Sequence, residues 1–111
     1  MTSPSQPHPM ASAPKLAELT EQLLFGDIWQ RPELAARDRS LITVAALVAL
    51  YRCEQLPFHL ERALANGLTR IELSELITHL AFYSGWPTAH SALLQLDRLP
   101  ATKGEQEATC Q

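Results

Sequence analysis

The chain has 111 residues, which is room for one domain, and 46% of them are hydrophobic while only 6% are aromatic. The apolar content is mostly leucine and alanine, which favours packed helices over a sheet-rich core. The net charge is -3, and no cluster of Lys and Arg is present of the kind that binds nucleic acid or anionic lipid. We therefore predict neither of these partners.

Membrane and redox signals are absent as well. The longest apolar run, residues 41–51, is about half of the roughly 20 residues needed to cross a bilayer, and no basic segment followed by an apolar one opens the chain. A cytoplasmic protein is predicted. Cys53 and Cys110 lie far apart in the sequence, so we expect reduced thiols rather than a disulfide framework.

The two ends of the chain are polar. Residues 1–13 and 101–111 carry few apolar side chains and are expected to be disordered tails, because they cannot bury enough surface to offset the cost of ordering. Between them, residues 14–100 are predicted to form one all-α domain of about five helices. The first helix begins near Ser12 with Pro14 in its first turn, carries leucines at positions 16, 19 and 23 on one face, and ends at Gly26.

The second predicted helix runs from Arg39 to about Arg52, and Asp38 is placed as its N-cap. Its sequence is apolar on nearly every side. In a domain this small, one layer of neighbouring helices cannot cover such a helix. The pattern therefore predicts a subunit interface.

The remaining helices have clear local boundary signals. The third runs from Leu56 to Asn66, where Asn66-Gly67 suits a left-handed C-cap. Thr69 and Glu72 form a Thr-x-x-Glu capping box that begins the fourth helix, which is predicted to continue to Gly85. A fifth helix is predicted to open at Trp86-Pro87 and to end at Leu99-Pro100.

Two histidines border apolar helix faces and are the strongest candidates for chemistry. His79 belongs to a polar stripe with Glu72, Glu75 and Tyr83 on the fourth helix, and His59 lies beside the apolar line of the third. On adjacent helices the two rings could face one pocket and exchange protons near neutral pH. The alternatives are two hydrogen-bonded structural histidines, and for Glu75 either an orienting contact to His79 or an ordinary exposed helix pair.

Other candidates are weaker. No metal is predicted, because the histidines have no third ligand at a recognisable spacing. Cys53 is either a nucleophile or a small core or interface residue, and Leu56 occupies the position that a Cys-x-x-Cys motif would require. The aromatic residues either pack or wall a small apolar pocket; they are Trp29, Phe58, Tyr83 and Trp86.

Four segments carry a family resemblance. They read FGDIWQRP (25–32), RDRSLIT (37–43), HLERALANGLT (59–69) and THLAFYSGWP (78–87). With them the chain resembles the carboxymuconolactone decarboxylase family, within the wider group that includes alkylhydroperoxidase D. The resemblance implies an all-α fold that assembles into a closed oligomer, commonly a hexamer built as a trimer of dimers.

The family divides in function. Members of the peroxidase branch carry a Cys-x-x-Cys motif followed by His, and this chain lacks that motif. The chain resembles the decarboxylase branch instead, at Glu54, His59 and His79. That branch implies cofactor-free loss of carbon dioxide from a lactone carboxylate such as 4-carboxymuconolactone, a reaction of aromatic catabolism.

The resemblance also implies roles for individual side chains. His79 would donate a proton or stabilise an oxyanion, and His59 would bind the substrate carboxylate or lactone. Glu54 and Glu75 would orient the histidines, and Arg39 would anchor an anion. The alternatives are a non-catalytic oligomeric module that binds a ligand or partner, and a thiol peroxidase accessory that uses Cys53 alone.

Overall fold

A computed structural model describes residues 10–100, which are all-α as predicted, without a strand in that range. The predicted tails fall largely on residues 1–9 and 101–111, outside the described residues. No helix within 10–100 is long and apolar enough to cross a membrane. The five α-helices are α1 (Pro14–Leu19), α2 (Ala36–Ala49), α3 (Leu56–Ala65), α4 (Arg70–Ser84) and α5 (Trp86–Arg98).

The described residues form two compact units, which divide between Ala36 and Arg37. In the first, α1 continues into a π-helical segment, Thr20–Phe25, and a 3-10 turn follows at Ile28–Gln30. The helical stretch ends at Gly26 as predicted. A Cβ atom at this position would lie only 2.5 Å from the carbonyl oxygen of Gln22, so the close backbone approach requires glycine. The three leucines of the predicted face are exposed in the single chain; they are Leu16, Leu19 and Leu23.

The second unit contains the hydrophobic core. Helices α2 to α5 each contribute buried side chains at helical spacing, so that one continuous cluster forms between them. The members are Val44, Val48, Leu56, Leu60, Ala63, Leu68, Leu73, Ile77, Ala81, Ala89, Ala92 and Leu96. Helices α3, α4 and α5 therefore each turn one apolar face to the core.

The predicted limits of α2 are wrong at both ends. The helix begins at Ala36 rather than Arg39, because alanine favours helix strongly and extends it toward the N-terminus. Asp38 consequently lies in the first turn instead of at the N-cap, where its charge still suits the positive end of the helix dipole. The helix ends before Arg52 because Tyr51 has a φ of 61°, in the left-handed region that ends an α-helix.

The boundary between α3 and α4 agrees with its local signals. Gly67 follows the C-cap residue Asn66 with a φ of 107°, and the Leu68 amide donates to the Ala63 carbonyl at 3.0 Å, so the last turn is closed. At the start of α4, the Glu72 amide donates to the Thr69 hydroxyl at 3.0 Å and the Thr69 amide donates to the Glu72 carboxylate at 2.9 Å. The predicted capping box is confirmed.

Helices α4 and α5 are joined by Gly85 alone, whose φ of 105° reverses the chain before Pro87 starts the new helix. The guanidinium of Arg70, at the start of α4, donates to the carbonyl oxygens of Leu96 at 3.1 Å and Leu99 at 2.8 Å, at the end of α5. The two helices therefore pack antiparallel, and Arg70 adds hydrogen bonds to backbone carbonyls at the C-terminal end of α5.

Replacing Thr69 with alanine removes one half of the capping box. We expect the free energy of unfolding to fall by about 1 kcal/mol, because the Glu72 amide loses its acceptor. Urea denaturation followed by circular dichroism measures this loss. Thr78→Ala is the matched control, since Thr78 is exposed within α4 and its hydroxyl only contacts the Ser74 carbonyl. Equal losses in the two variants would contradict the capping role.

Candidate functional site

An open groove lies between α2 and α4. Its volume is about 570 Å³, and apolar side chains form most of its walls. Arg37 in the first turn of α2 pairs with Glu72 in the first turn of α4, so both helices begin at the same end of the groove. The lining residues are Leu41, Ile42 and Ala45 from α2, and Glu72, Glu75, Leu76, His79 and Leu80 from α4.

His79 is the histidine of this groove. Its side chain is exposed to solvent at the groove wall, and its ring centroid lies 5.0 Å from that of Tyr83, with an angle of 34° between the planes. Glu75 lines the groove one helical turn before His79. The structure therefore brings together three members of the predicted polar stripe, an imidazole with a carboxylate and a phenol, beside an apolar surface.

Glu72 is the second carboxylate of the groove. The Thr69 amide donates to this carboxylate and is the largest influence that lowers the pKa of Glu72 below its ordinary value, and the positive charge of Arg37 acts in the same direction. The carboxylate is consequently an anion near neutral pH. The ion pair with Arg37 joins residues 35 positions apart and was not predicted, since no local pattern specifies a contact at that separation.

His59 occupies a different environment on α3. Its ring packs edge-on against Phe58, with centroids 4.9 Å apart, and its Nδ1 atom is buried. Burial lowers the pKa of His59, and the nearby charge of Arg62 lowers it further. The ring is therefore predominantly neutral at pH 7. His59 is not among the residues that line the groove of His79, so within the single chain this groove does not bring the two histidines together.

Glu54 and Cys53 lie in the loop between α2 and α3. Together with Tyr51 and Arg52 they line a second pocket of about 870 Å³, and Cys53 is a half-buried free thiol. The Tyr51 hydroxyl accepts a hydrogen bond from Ser91 at 3.3 Å, which connects this loop to α5. Glu54 is thus placed near the thiol rather than in the groove of His79.

The remaining candidates are dispersed. Trp86 is exposed at the start of α5 and contacts Phe82 edge-on at 5.0 Å. Trp29 belongs to the first unit, where it is buried and stacks on Phe25 at 6.1 Å. Arg39 lies on α2, outside the residues that line the groove. Within residues 10–100, no cluster of three His, Cys, Asp or Glu side chains is suited to hold a metal ion.

Sequence comparison identifies the family. Residues 14–98 match the sequence model of the carboxymuconolactone decarboxylase family. The chain belongs to this family. The match covers all five helices, and it confirms the resemblance carried by the four sequence segments.

Two proteins named as decarboxylases are similar to the chain. It is 44% identical over 69 residues to a 4-carboxymuconolactone decarboxylase from Acinetobacter baylyi, a match that covers 62% of this chain and 52% of that protein. It is 34% identical over 77 residues to a nitrosuccinic acid decarboxylase from Metarhizium robertsii, covering 69% of this chain and 54% of that protein. The chain therefore spans about half the length of these relatives.

Proposed function

We propose that the chain is a cofactor-free decarboxylase of small dicarboxylic acids that contain their own electron acceptor. Two relatives are named for decarboxylation, one of 4-carboxymuconolactone and one of nitrosuccinic acid. In the first acid a double bond connects the departing carboxylate to a lactone carbonyl, and in the second a nitro group lies on the adjacent carbon. Both acids can therefore accept the electron pair released when carbon dioxide leaves, and both carry a second carboxylate.

The position of His79 is the observation that supports this proposal. It lines an apolar groove beside Glu75, so its imidazole meets the bound substrate next to a carboxylate that can orient it. In the proposed reaction the carbon–carboxylate bond breaks and carbon dioxide departs. The electron pair moves to the acceptor oxygen of the substrate, and the proton of His79 is then transferred to the carbon. Leu41 and Leu76 supply apolar surface for the carbon skeleton.

The other predicted site residues have less support from the single chain. His59 is placed to act as a neutral hydrogen-bonding group rather than as a cation, because burial lowers its pKa. Glu54 lines the second pocket, and Arg39 lies outside the groove lining. We therefore propose His79 as the catalytic proton donor, Glu75 as its orienting carboxylate and Tyr83 as its aromatic neighbour.

The test is a direct assay of the purified chain. 4-Carboxymuconolactone and nitrosuccinic acid are each incubated with the protein, and substrate loss is followed together with release of carbon dioxide. Release of stoichiometric carbon dioxide from either acid supports the proposal. If neither acid reacts while the protein is folded, the decarboxylase proposal fails and a non-catalytic binding module becomes the better interpretation.

We also propose that the chain acts as a closed homo-oligomer, a hexamer in the arrangement expected of the family. Large apolar side chains remain exposed on the second unit, and exposed apolar surface of this kind often marks a protein interface. Those on α2 and α4 are Ile42, Ile71, Phe82 and Tyr83. Light scattering is expected to show an assembly larger than a dimer.

A single species near the chain mass of 12.3 kDa at micromolar concentration would contradict this assembly. Phe82→Ser provides a second measurement, because Phe82 is 71% exposed and its loss should not disturb the core. We expect this variant to have a smaller average mass with unchanged helical content, whereas Thr78→Ser, on the same helix, should retain the parent mass.

A further inference from the structure

The two carboxylates of the groove have different surroundings. Glu75 lies one turn before His79, where it can orient the imidazole. Glu72 lies in the first turn of α4, and its Oε2 atom accepts a hydrogen bond from the Nη2 atom of Arg37. The groove positions contributed by α2 are all apolar; they are Leu41, Ile42 and Ala45. The polar wall is therefore supplied by α4, and the cation that meets it is supplied by α2.

The charge of Glu72 matters for the substrates in question. A dicarboxylic acid carries two negative charges near neutral pH, and an uncompensated carboxylate at the groove wall repels each of them. At a separation of about 7 Å, one such repulsion weakens binding by roughly threefold in bulk water to roughly fiftyfold near a protein surface. With both Glu72 and Glu75 uncompensated, a groove of this kind would favour neutral or cationic ligands.

Arg37 is held where it can remove this repulsion. It stands one turn before Leu41 and two turns before Ala45 on α2, so it lies at the end of the row that faces the groove. Its second acidic neighbour is Asp38, whose Oδ1 atom is 3.7 Å from Nη1, so the ion pair with Glu72 is the closer one. The guanidinium of Arg37 carries five N–H donors in a fixed fork, and its Nη2 atom donates the hydrogen bond to Glu72.

We propose that Arg37 is a specificity-determining residue, which cancels the charge of Glu72 so that the groove admits a small dianion beside His79. This inference rests on the proposed function for its substrate class. An ion pair that is about half exposed contributes little to folding stability. The expected effect is therefore on the choice of ligand by charge.

The experiment compares two non-reacting probes, succinate as a dianion and monomethyl succinate as a monoanion. Their dissociation constants are measured from the shifts of the His79 and Ala45 amide signals by NMR. Arg37→Gln is expected to weaken succinate binding about tenfold and monomethyl succinate binding less than threefold. Glu72→Gln should bind succinate at least as tightly as the parent protein, since glutamine still fits a capping box.

The double variant Arg37→Gln with Glu72→Gln decides between charge cancellation and a mechanical link from α2 to α4. Charge cancellation predicts recovery of succinate affinity to within about threefold of the parent protein, because both charges are then absent. A mechanical link predicts no recovery and an equal loss for both probes, which would overturn the proposal. Arg98→Gln is the matched control, because it removes one exposed arginine from the last turn of α5.

The two proposals can fail separately. If Arg37→Gln selectively weakens succinate binding and the double variant recovers it, but the parent protein decarboxylates neither acid, the proposed function fails and the role of Arg37 stands. If the protein turns over its substrate and Arg37→Gln behaves as Arg98→Gln does, the role of Arg37 fails and the function stands. Absence of succinate binding to the parent protein would overturn the Arg37 proposal, because the groove would then not admit a dianion.

Discussion

Replacing His79 with alanine is expected to lower turnover of the decarboxylated substrate by at least about 100-fold, the usual contribution of a positioned acid or base. The imidazole is the group of the groove best suited to return a proton to carbon near neutral pH. Because His79 is exposed, its removal should change the melting temperature by only a few degrees. Steady-state kinetics and thermal unfolding of the same preparation measure both quantities.

The control for this variant is His90→Ala. His90 is an exposed histidine on α5 and does not line the groove, so its replacement should leave turnover within about twofold of the parent protein. His59→Ala is informative in the opposite sense, because the half-buried ring packs against Phe58 and its loss should lower stability. If His79→Ala retains full turnover, or if it unfolds the protein, the catalytic assignment is wrong.

The parts of the fold that were predicted from the sequence are those specified by neighbouring residues. The Thr69 and Glu72 capping box depends on a spacing of three, and the end of α3 depends on Asn66 and Gly67. Such signals act within one helical turn, so they do not require knowledge of the tertiary structure. The start of α2 was predicted incorrectly because Asp38 suits the first turn and the N-cap equally well, and the alanine before Arg37 extended the helix.

Only the part of the candidate site that lies on a single helix was predicted from the sequence. The stripe that contains Glu75, His79 and Tyr83 follows from helical spacing along α4. The opposite wall comes from α2, some 30 residues earlier in the chain, and local periodicity does not specify which helices face one another. The same limit explains why the Arg37 and Glu72 pair was not predicted, and why His59 was expected in the pocket of His79.

The two isoleucines of α4 differ sharply in burial. Ile77 is fully buried in the hydrophobic core, whereas Ile71 is 81% exposed. We expect Ile77→Ala to lower the free energy of unfolding by 2 to 5 kcal/mol, of which the cavity left behind contributes a substantial part. Ile71→Ala should stay within about 0.5 kcal/mol of the parent protein.

The two variants have the same composition and the same change of side chain on the same helix, so a difference in their stability reflects the burial of the replaced isoleucine. Small domains have a total stability of about 5 to 15 kcal/mol, so the loss of Ile77 removes a large fraction of it and should shift the urea midpoint visibly. Assembly contributes a concentration-dependent part to the free energy of unfolding. Both variants are therefore unfolded at several protein concentrations, and their free energies of unfolding are compared after this part is subtracted. Equal destabilisation by the two substitutions would show that α4 does not present Ile77 to the core and Ile71 to solvent, and the orientation that places His79 in the groove would fail with it.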